Sequence, residues 1–224
     1  MFMGLVGSEM CIRDRASAKL HEDGGGDFRS TRAALKPRPW LVDDFDALYA
    51  SWTADGAPGG ELASAWRKCV MFVDNSGADV VLGMLPIARE LARRGCKVVI
   101  AANETPSIND VTASELTSDL IPRVCHLDDV FEEAVRCGAI SVCSSGSDLP
   151  VIDLRRVSQR LANRVEDADF VILEGMGRAV ETNLEAAFDC DALRIGMVKH
   201  PEVAQCLGGE LYDCVCRFEA AGYL

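Results

Sequence analysis

The chain has 224 residues, of which 49% are hydrophobic, and its formal net charge is −12. This length suits one domain with a single core, and no apolar stretch is long enough to span a membrane. The acidic balance argues against a nucleic-acid-binding surface, which needs clustered lysine and arginine, but it does not exclude a small anionic substrate.

Residues 1–36 are interpreted as a non-native or disordered leader, and the domain is expected to span 37–224. The string SEMCIRDR resembles translated sequencing-adapter sequence. Charged residues interrupt its short apolar stretch, which makes a signal peptide a poor interpretation. Residues 16–36 are polar, glycine-bearing and without periodicity, as expected of a linker.

The ten cysteines are scattered, and most lie inside apolar runs. This usage is typical of reduced, buried cysteine, and it predicts a reducing compartment and hence a cytoplasmic location. The sequence contains no Cys-x-x-Cys pair and only three histidines, so a zinc knuckle is not expected.

The segment 40–52 has apolar residues near helical spacing and predicts one amphipathic helix. From residue 69 onward, apolar runs alternate with helical stretches. Strands are predicted at 69–73, 97–102, 139–143, 170–173, 193–198 and 211–216. Helices are predicted at 79–94, 109–121, 128–137, 153–166, 181–189 and 201–207. This alternation predicts an α/β fold with a mostly parallel, doubly wound sheet and helices on both faces, a Rossmann-like three-layer core.

Polar residues follow each of the first five predicted strands. In chain order they are Asp74 and Asn75, Asn109 and Asp110, Asp148, Glu174 to Arg178, and Lys199 with His200. Because parallel strands end at the same edge of a sheet, these residues are expected to share the edge where open α/β folds bind ligands.

The residue types at this edge indicate metal and phosphate chemistry. The candidate metal ligands are Asp74, Asn75 and Asp110, whose oxygens suit Mg²⁺ or Mn²⁺. Arg178 offers a planar fork for a phosphate and Lys199 a point charge. Gly175 and Gly177 would let backbone N–H groups approach an anion. Together they predict transfer of a phosphoryl group to water.

Each of these residues also has an ordinary structural interpretation. The Asp74-Asn75 pair could form a turn with a helix cap, and Asn109-Asp110 could cap the next helix. Glu174 could pair with Arg178 on the surface. The shared edge is what favours a functional interpretation.

Five strings resemble the damage-control phosphatase family over a stretch from about Arg38 to the C-terminus. They are FVDNSGADVVLGMLPIARELARRG, AANETPSINDVTASEL, GSDLPVIDL, EGMGRAVETN and GMVKHPEVAQCLGG. The similarity is greatest to the branch found alone or fused behind pantothenate kinase in plants and animals. Family members carry a largely helical region before this core. Here only 37–66 precedes the first strand, so an N-terminal truncation with a pocket open on one side is expected.

The resemblance implies one divalent ion, Mn²⁺, Mg²⁺, Co²⁺ or Ni²⁺, bound by Asp74, Asn75 and Asp110. It also implies that Lys199 lies on the substrate side. The implied reaction is hydrolysis of phosphopantetheine or its oxidised, damaged forms, which limits their entry into coenzyme A synthesis. Sugar phosphates are the alternative substrates within the family. A pantothenate kinase domain is an expected partner, in the full-length protein or in relatives.

The predicted catalytic residues are Asp74, Asp110, Arg178 and Lys199. The predicted substrate-side residues are Asn109, Asp148, Glu174, Gly175, Gly177, Arg178 and Lys199. The nucleophile is either a water held by the metal or a carboxylate, with Asp74 as the candidate for an aspartyl-phosphate. Two rival functions stay open: a dinucleotide-dependent oxidoreductase, which lacks the expected Gly-x-Gly-x-x-Gly, and a non-catalytic remnant that binds a kinase partner.

Overall fold

The structure is a computed structural model that describes residues 35–53, 64–77 and 79–222. The leader predicted for 1–36 therefore lies outside the described residues, except at its last two positions. Leu35 packs against the main hydrophobic core, and Lys36 forms ion pairs with Asp213 and Glu210.

Seven strands form one sheet in the described part of the chain. They are β1 (Val42–Asp43), β2 (Lys68–Phe72), β3 (Lys97–Ala102), β4 (Ile140–Ser144), β5 (Phe170–Glu174), β6 (Asp191–Met197) and β7 (Cys214–Glu219). Their order across the sheet is β1-β7-β6-β5-β2-β3-β4. All neighbours from β6 to β4 are parallel, whereas β7 runs antiparallel to β6 and β1 pairs in parallel with β7. The prediction of a mostly parallel sheet is confirmed.

Seven α-helical segments connect or flank the strands. They are α1 (Phe45–Thr53), α2 (Leu85–Arg93), α3 (Ala113–Glu115), α4 (Ile121–Cys125), α5 (Asp129–Arg136), α6 (Gln159–Val165) and α7 (Pro201–Leu207). Wider π-helical turns occupy Asp79–Met84, Leu116–Leu120 and Met176–Glu181, and a 3₁₀ turn occupies Leu154–Arg156. No helix in the described ranges combines the length and the hydrophobicity that a bilayer crossing requires.

Two hydrophobic clusters lie on opposite faces of the sheet. Alternate residues of β2 separate between them: Cys69 and Met71 belong to one cluster, and Val70 and Phe72 to the other. The first cluster contains the buried residues of α1, α2 and α5, and the second contains those of α6 and α7. Because alternate side chains of a strand point to opposite faces, helices cover both sides of the sheet, as a doubly wound fold requires.

Three predicted elements differ from the observed ones. The segment 40–52 contains β1 before its helix, which begins at Phe45. The last strand starts at Cys214 rather than at residue 211, because a turn with Tyr212 at a φ of 66° comes first. The helix predicted at 181–189 is absent beyond residue 181, since Arg194 takes the carbonyls of Asn183 and Ala186 as acceptors for its own buried guanidinium.

The chain reverses direction across the sheet between β2 and β5. From β2 it continues outward through β3 to β4, and it then returns to β5 on the other side of β2 before reaching β6. In open α/β sheets such a switch point leaves a crevice at the carboxyl ends of the two strands, where ligands bind. Asp74 and Glu174 lie at these two strand ends.

Candidate active site

A cleft of about 250 Å³ opens at this edge of the sheet. Its walls come from the loops after β2, β3, β4, β5 and β6. The lining residues are Asp74, Asn75, Ile108, Asn109, Asp110, Pro150, Val151, Met176, Gly177, Glu181, Lys199 and His200. The structure therefore brings together six of the predicted site residues: Asp74, Asn75, Asn109, Asp110, Gly177 and Lys199.

Asp74 is fixed in the floor of the cleft through its backbone. Its N–H donates to Glu174 Oε2 at 2.6 Å, and its carbonyl accepts from Val111 N at 2.8 Å. Gly175 has a φ of 99°, and a Cβ added there would collide with the Asp74 carboxylate. Glycine is required at this position because it tolerates positive φ and leaves space for that carboxylate.

The loop after β3 is tied to the loop after β2. Asn75 and Asp110 form an isolated antiparallel bridge, and Asn109 Nδ2 donates to Asn75 Oδ1 at 2.7 Å. Asn75 Nδ2 in turn donates to Asp79 Oδ2 at 2.8 Å. These bonds set the Asn75 amide so that its oxygen lies on the side of Asn109. The two loops consequently move as one unit in any rearrangement of the cleft.

Arg178 is buried beneath the cleft, with only 2% of its surface exposed. Its guanidinium donates to the Asp74 carboxylate, to Asp110 Oδ2 at 2.9 Å and to Asn103 Oδ1 at 2.9 Å. The sequence predicted a fork that grips a phosphate. In the structure this fork lies between the two carboxylates, so it compensates their charge and fixes their separation.

Two further predicted substrate-side residues lie outside the cleft. Glu174 is buried below it and holds the Asp74 backbone, so its carboxylate is a support for Asp74. Asp148 lies on a separate small depression with Gly146, Leu149 and Arg156. The loop after β4 instead contributes Pro150 and Val151 to the cleft.

The profile of the damage-control phosphatase ARMT1-like domain matches residues 12–215 of this chain. The chain belongs to the damage-control phosphatase family. It is 52% identical over 212 residues to a damage-control phosphatase of Arabidopsis thaliana, covering 92% of this chain and 54% of that protein. The chain thus spans about half the length of this curated relative, and less of the others.

Two other curated relatives connect this family member to coenzyme A metabolism by name. Pantothenate kinase 2 of Arabidopsis thaliana is 42% identical over 214 residues, which are 86% of this chain and 23% of the kinase. The 4′-phosphopantetheine phosphatase of Mus musculus is 29% identical over 250 residues, covering 89% of this chain and 29% of that protein. A crystal structure of a DUF89 family protein from Pyrococcus horikoshii superposes with a TM-score of 0.57 at 20% identity. It covers 96% of this chain and 62% of that one, and it supports the fold.

Burial dominates the electrostatics of this phosphatase-family cleft. It raises the pKa of Asp74 to about 7; the charges of Arg178 and Lys199 act in the opposite direction, and that of Asp110 acts with burial. Burial also raises the pKa of Glu174 well above its usual range, and the charges of Asp74 and Asp79 add to this effect. The cleft is therefore a place where an additional positive charge is favourable.

The oxygens available to an ion fit a small, hard divalent cation. Asp74, Asn75 and Asp110 line the same cleft, and Arg178 bonds to one oxygen of each carboxylate, while each carboxylate has two. In the described ranges no group of three histidine, cysteine, aspartate or glutamate side chains is arranged as a metal site. The set consequently depends on the Asn75 amide, a ligand that Mg²⁺, Mn²⁺ and Ca²⁺ sites accept.

Sequence reasoning missed three residues that the site uses. Asn103 is buried at the end of β3, donates to Asp110 Oδ2 at 3.0 Å and accepts from Arg178. Asp79 is buried and holds Asn75; its position four residues later was the available signal. Ile108 lines the cleft, and nothing in its residue type indicated this.

Proposed function

We propose that this chain hydrolyses small phosphate monoesters with one divalent metal ion held by Asp74, Asn75 and Asp110. The observation that carries the proposal is the meeting of these three oxygen ligands with Lys199 in one cleft at the switch point of the sheet. When bound, the ion would supply a Lewis acid that offsets negative charge on a phosphate oxygen.

The chain's own residues would then divide the work. Lys199 lines the cleft opposite the loop of Asn75 and supplies a positive charge for the remaining phosphate oxygens. Glu174 and Gly175 hold Asp74 in place from below. Arg178 acts as a positioning residue, because its guanidinium spans Asp74 and Asp110 rather than the open cleft.

The attacking group is either a water molecule or the Asp74 carboxylate, which fixed geometry at the floor of the cleft suits for both roles. The two are separated by chemistry. An aspartyl-phosphate would survive rapid acid quenching as a mass increase on Asp74, whereas direct attack by water leaves no phosphorylated chain.

The substrate proposed first is 4′-phosphopantetheine or an oxidised form of it, because a relative at 29% identity is named as its phosphatase. The cleft volume of about 250 Å³ is below the roughly 300–1,000 Å³ of pockets that enclose whole ligands. We therefore infer that the phosphate end enters the cleft while the organic part extends out of it. A sugar phosphate is the competing substrate, and its compact ring would leave less of the ligand outside.

Phosphate release by the full chain tests this proposal. Chelator-treated protein would be assayed on 4′-phosphopantetheine, a sugar phosphate and an aryl phosphate, each with and without Mn²⁺, Co²⁺, Ni²⁺ or Mg²⁺. We expect metal-dependent release that Asp74→Asn abolishes and that Asp46→Asn leaves intact, since the Asp46 side chain is 86% exposed on α1. Folded protein that releases no phosphate from any ester would refute the proposal and favour a binding role.

A further inference from the structure

Ile108 has an unusual backbone conformation at the cleft. Its φ is 52°, in the left-handed region, and in the described ranges Tyr212 is the other non-glycine residue with positive φ. A β-branched side chain is the least suited to this region, where glycine, asparagine and aspartate are the residues that sequences normally supply. Ile108 therefore carries strain that a different residue would relieve.

The strained residue lies in the turn that presents two site residues. Asp110 N donates to Ser107 O at 2.9 Å, which closes a four-residue turn with Ile108 and Asn109 at its centre. Asn109 then bonds to Asn75, and its carbonyl accepts from Ser76 N at 2.8 Å. The turn explains why a positive φ is needed there, but it does not explain why the residue is isoleucine.

The Ile108 side chain is also exposed, with 86% of its surface open to solvent. It lines the cleft together with the apolar residues Pro150, Val151 and Met176. An apolar side chain that is both strained and exposed adds nothing evident to the stability of the fold. Local strain of this kind is retained at ligand sites, where binding gives the residue its role.

We propose that Ile108 is a specificity-determining residue that packs against the organic part of the phosphate ester at the mouth of the cleft. The proposal deepens the phosphatase function and rests on it. The phosphate end would lie among Asp74, Asp110 and Lys199, and the carbon skeleton would leave the cleft across the Ile108 side chain. Contact that buries about half of an isoleucine side chain corresponds to a roughly five- to tenfold gain in affinity.

Replacement of Ile108 by asparagine tests the proposal, because asparagine tolerates left-handed backbone and removes the apolar surface. Two control variants match its two features. Tyr212→Asn changes the other strained position, and Leu127→Asn removes an apolar side chain that is 87% exposed; neither residue lines the cleft. Ile108→Leu keeps an apolar group at the mouth of the cleft.

Affinity would be measured by calorimetry for two probes, 4′-phosphopantetheine and inorganic phosphate, on the full chain with Mn²⁺. Ile108→Asn is expected to bind 4′-phosphopantetheine five- to tenfold more weakly and phosphate within twofold of the wild type. Its KM for the ester should rise by the same factor. Its midpoint of thermal unfolding should be unchanged or higher, and both controls and Ile108→Leu should bind both probes as the wild type does.

Three outcomes would overturn the proposal. Unchanged affinity of Ile108→Asn for 4′-phosphopantetheine would show that the side chain touches no part of the ester. Equal loss for both probes would assign Ile108 to support of Asn109 and Asp110 instead of to specificity. A wild-type chain that binds neither probe would overturn the phosphatase function together with this inference, which separates that failure from the first two.

Discussion

Replacing Arg178 by methionine would remove a buried charge while keeping an unbranched side chain of similar length. The guanidinium is 2% exposed and donates to Asp74, to Asp110 at 2.9 Å and to Asn103 at 2.9 Å. Removing one partner of a buried ion pair costs about 3–5 kcal/mol, because the remaining carboxylates are left without a compensating charge. For a domain of this size 1 kcal/mol corresponds to about 2–4 °C. The metal-free variant should therefore unfold about 6–20 °C below the wild type.

A divalent ion should reverse part of this loss. An ion between Asp74 and Asp110 supplies the positive charge that Arg178 otherwise provides, so Arg178→Met should bind Mn²⁺ more tightly than the wild type. By linkage, Mn²⁺ should then raise the unfolding temperature of the variant more than that of the wild type. Thermal unfolding in chelator and in Mn²⁺, with calorimetric titration of the ion, measures both effects.

Arg155→Met is the matched control for this experiment. The Arg155 side chain is 89% exposed and pairs with Asp153, and exposed pairs of this kind contribute about 0–1 kcal/mol. The reasoning would be refuted if Arg178→Met lost as much stability in Mn²⁺ as in chelator. That result would mean that the arginine and the ion do not act on the same carboxylates.

Three further predictions concern the same cleft. Gly175→Ala should weaken Mn²⁺ binding at least about tenfold (1.4 kcal/mol), because its Cβ would collide with Asp74, whereas Gly138→Ala, at a φ of 78° in open space, should cost only about 1–2 kcal/mol of stability. In the metal-free chain the pKa of Asp74 is raised from 3.8 to about 7, so the native state binds more protons over this range. Its free energy of unfolding should fall as pH rises from about 4 to 7, by up to about 1.4 kcal/mol per pH unit, and denaturant titration of Asp74→Asn should lack this component. Lys199→Gln should lower kcat/KM at least about tenfold (1.4 kcal/mol) while calorimetry shows unchanged Mn²⁺ affinity; weakened ion binding would instead assign Lys199 to the metal site.

Much of the site follows from one topological argument. Apolar, β-branched strands alternating with helices indicate a parallel sheet, and the polar residues after each strand then share an edge. Asp74 and Asn75 could thus be placed beside Asn109 and Asp110 without knowing any distance. The strand bounds follow because a buried parallel strand is a continuous apolar run, as Lys97–Ala102 shows by matching its predicted range.

What the sequence could not supply depends on tertiary contacts. The direction of the Arg178 side chain is set by two carboxylates and Asn103, which lie 68 to 104 residues away in the chain. The helix predicted at 181–189 is absent because buried Arg194, from a neighbouring strand, takes its carbonyls. The strand Val42–Asp43 is two residues long inside a helix-like pattern, and it forms because β7 offers it an edge.

The central claim is that Asp74, Asn75 and Asp110 hold the ion that the phosphatase reaction needs. Anomalous diffraction from crystals of the full chain grown with Mn²⁺ and phosphate measures this directly. The account predicts one strong peak in the cleft, at roughly 2.0–2.3 Å from oxygens of all three residues, with phosphate between the ion and Lys199. A cleft without a peak, with Arg178 still joining Asp74 and Asp110, would contradict it.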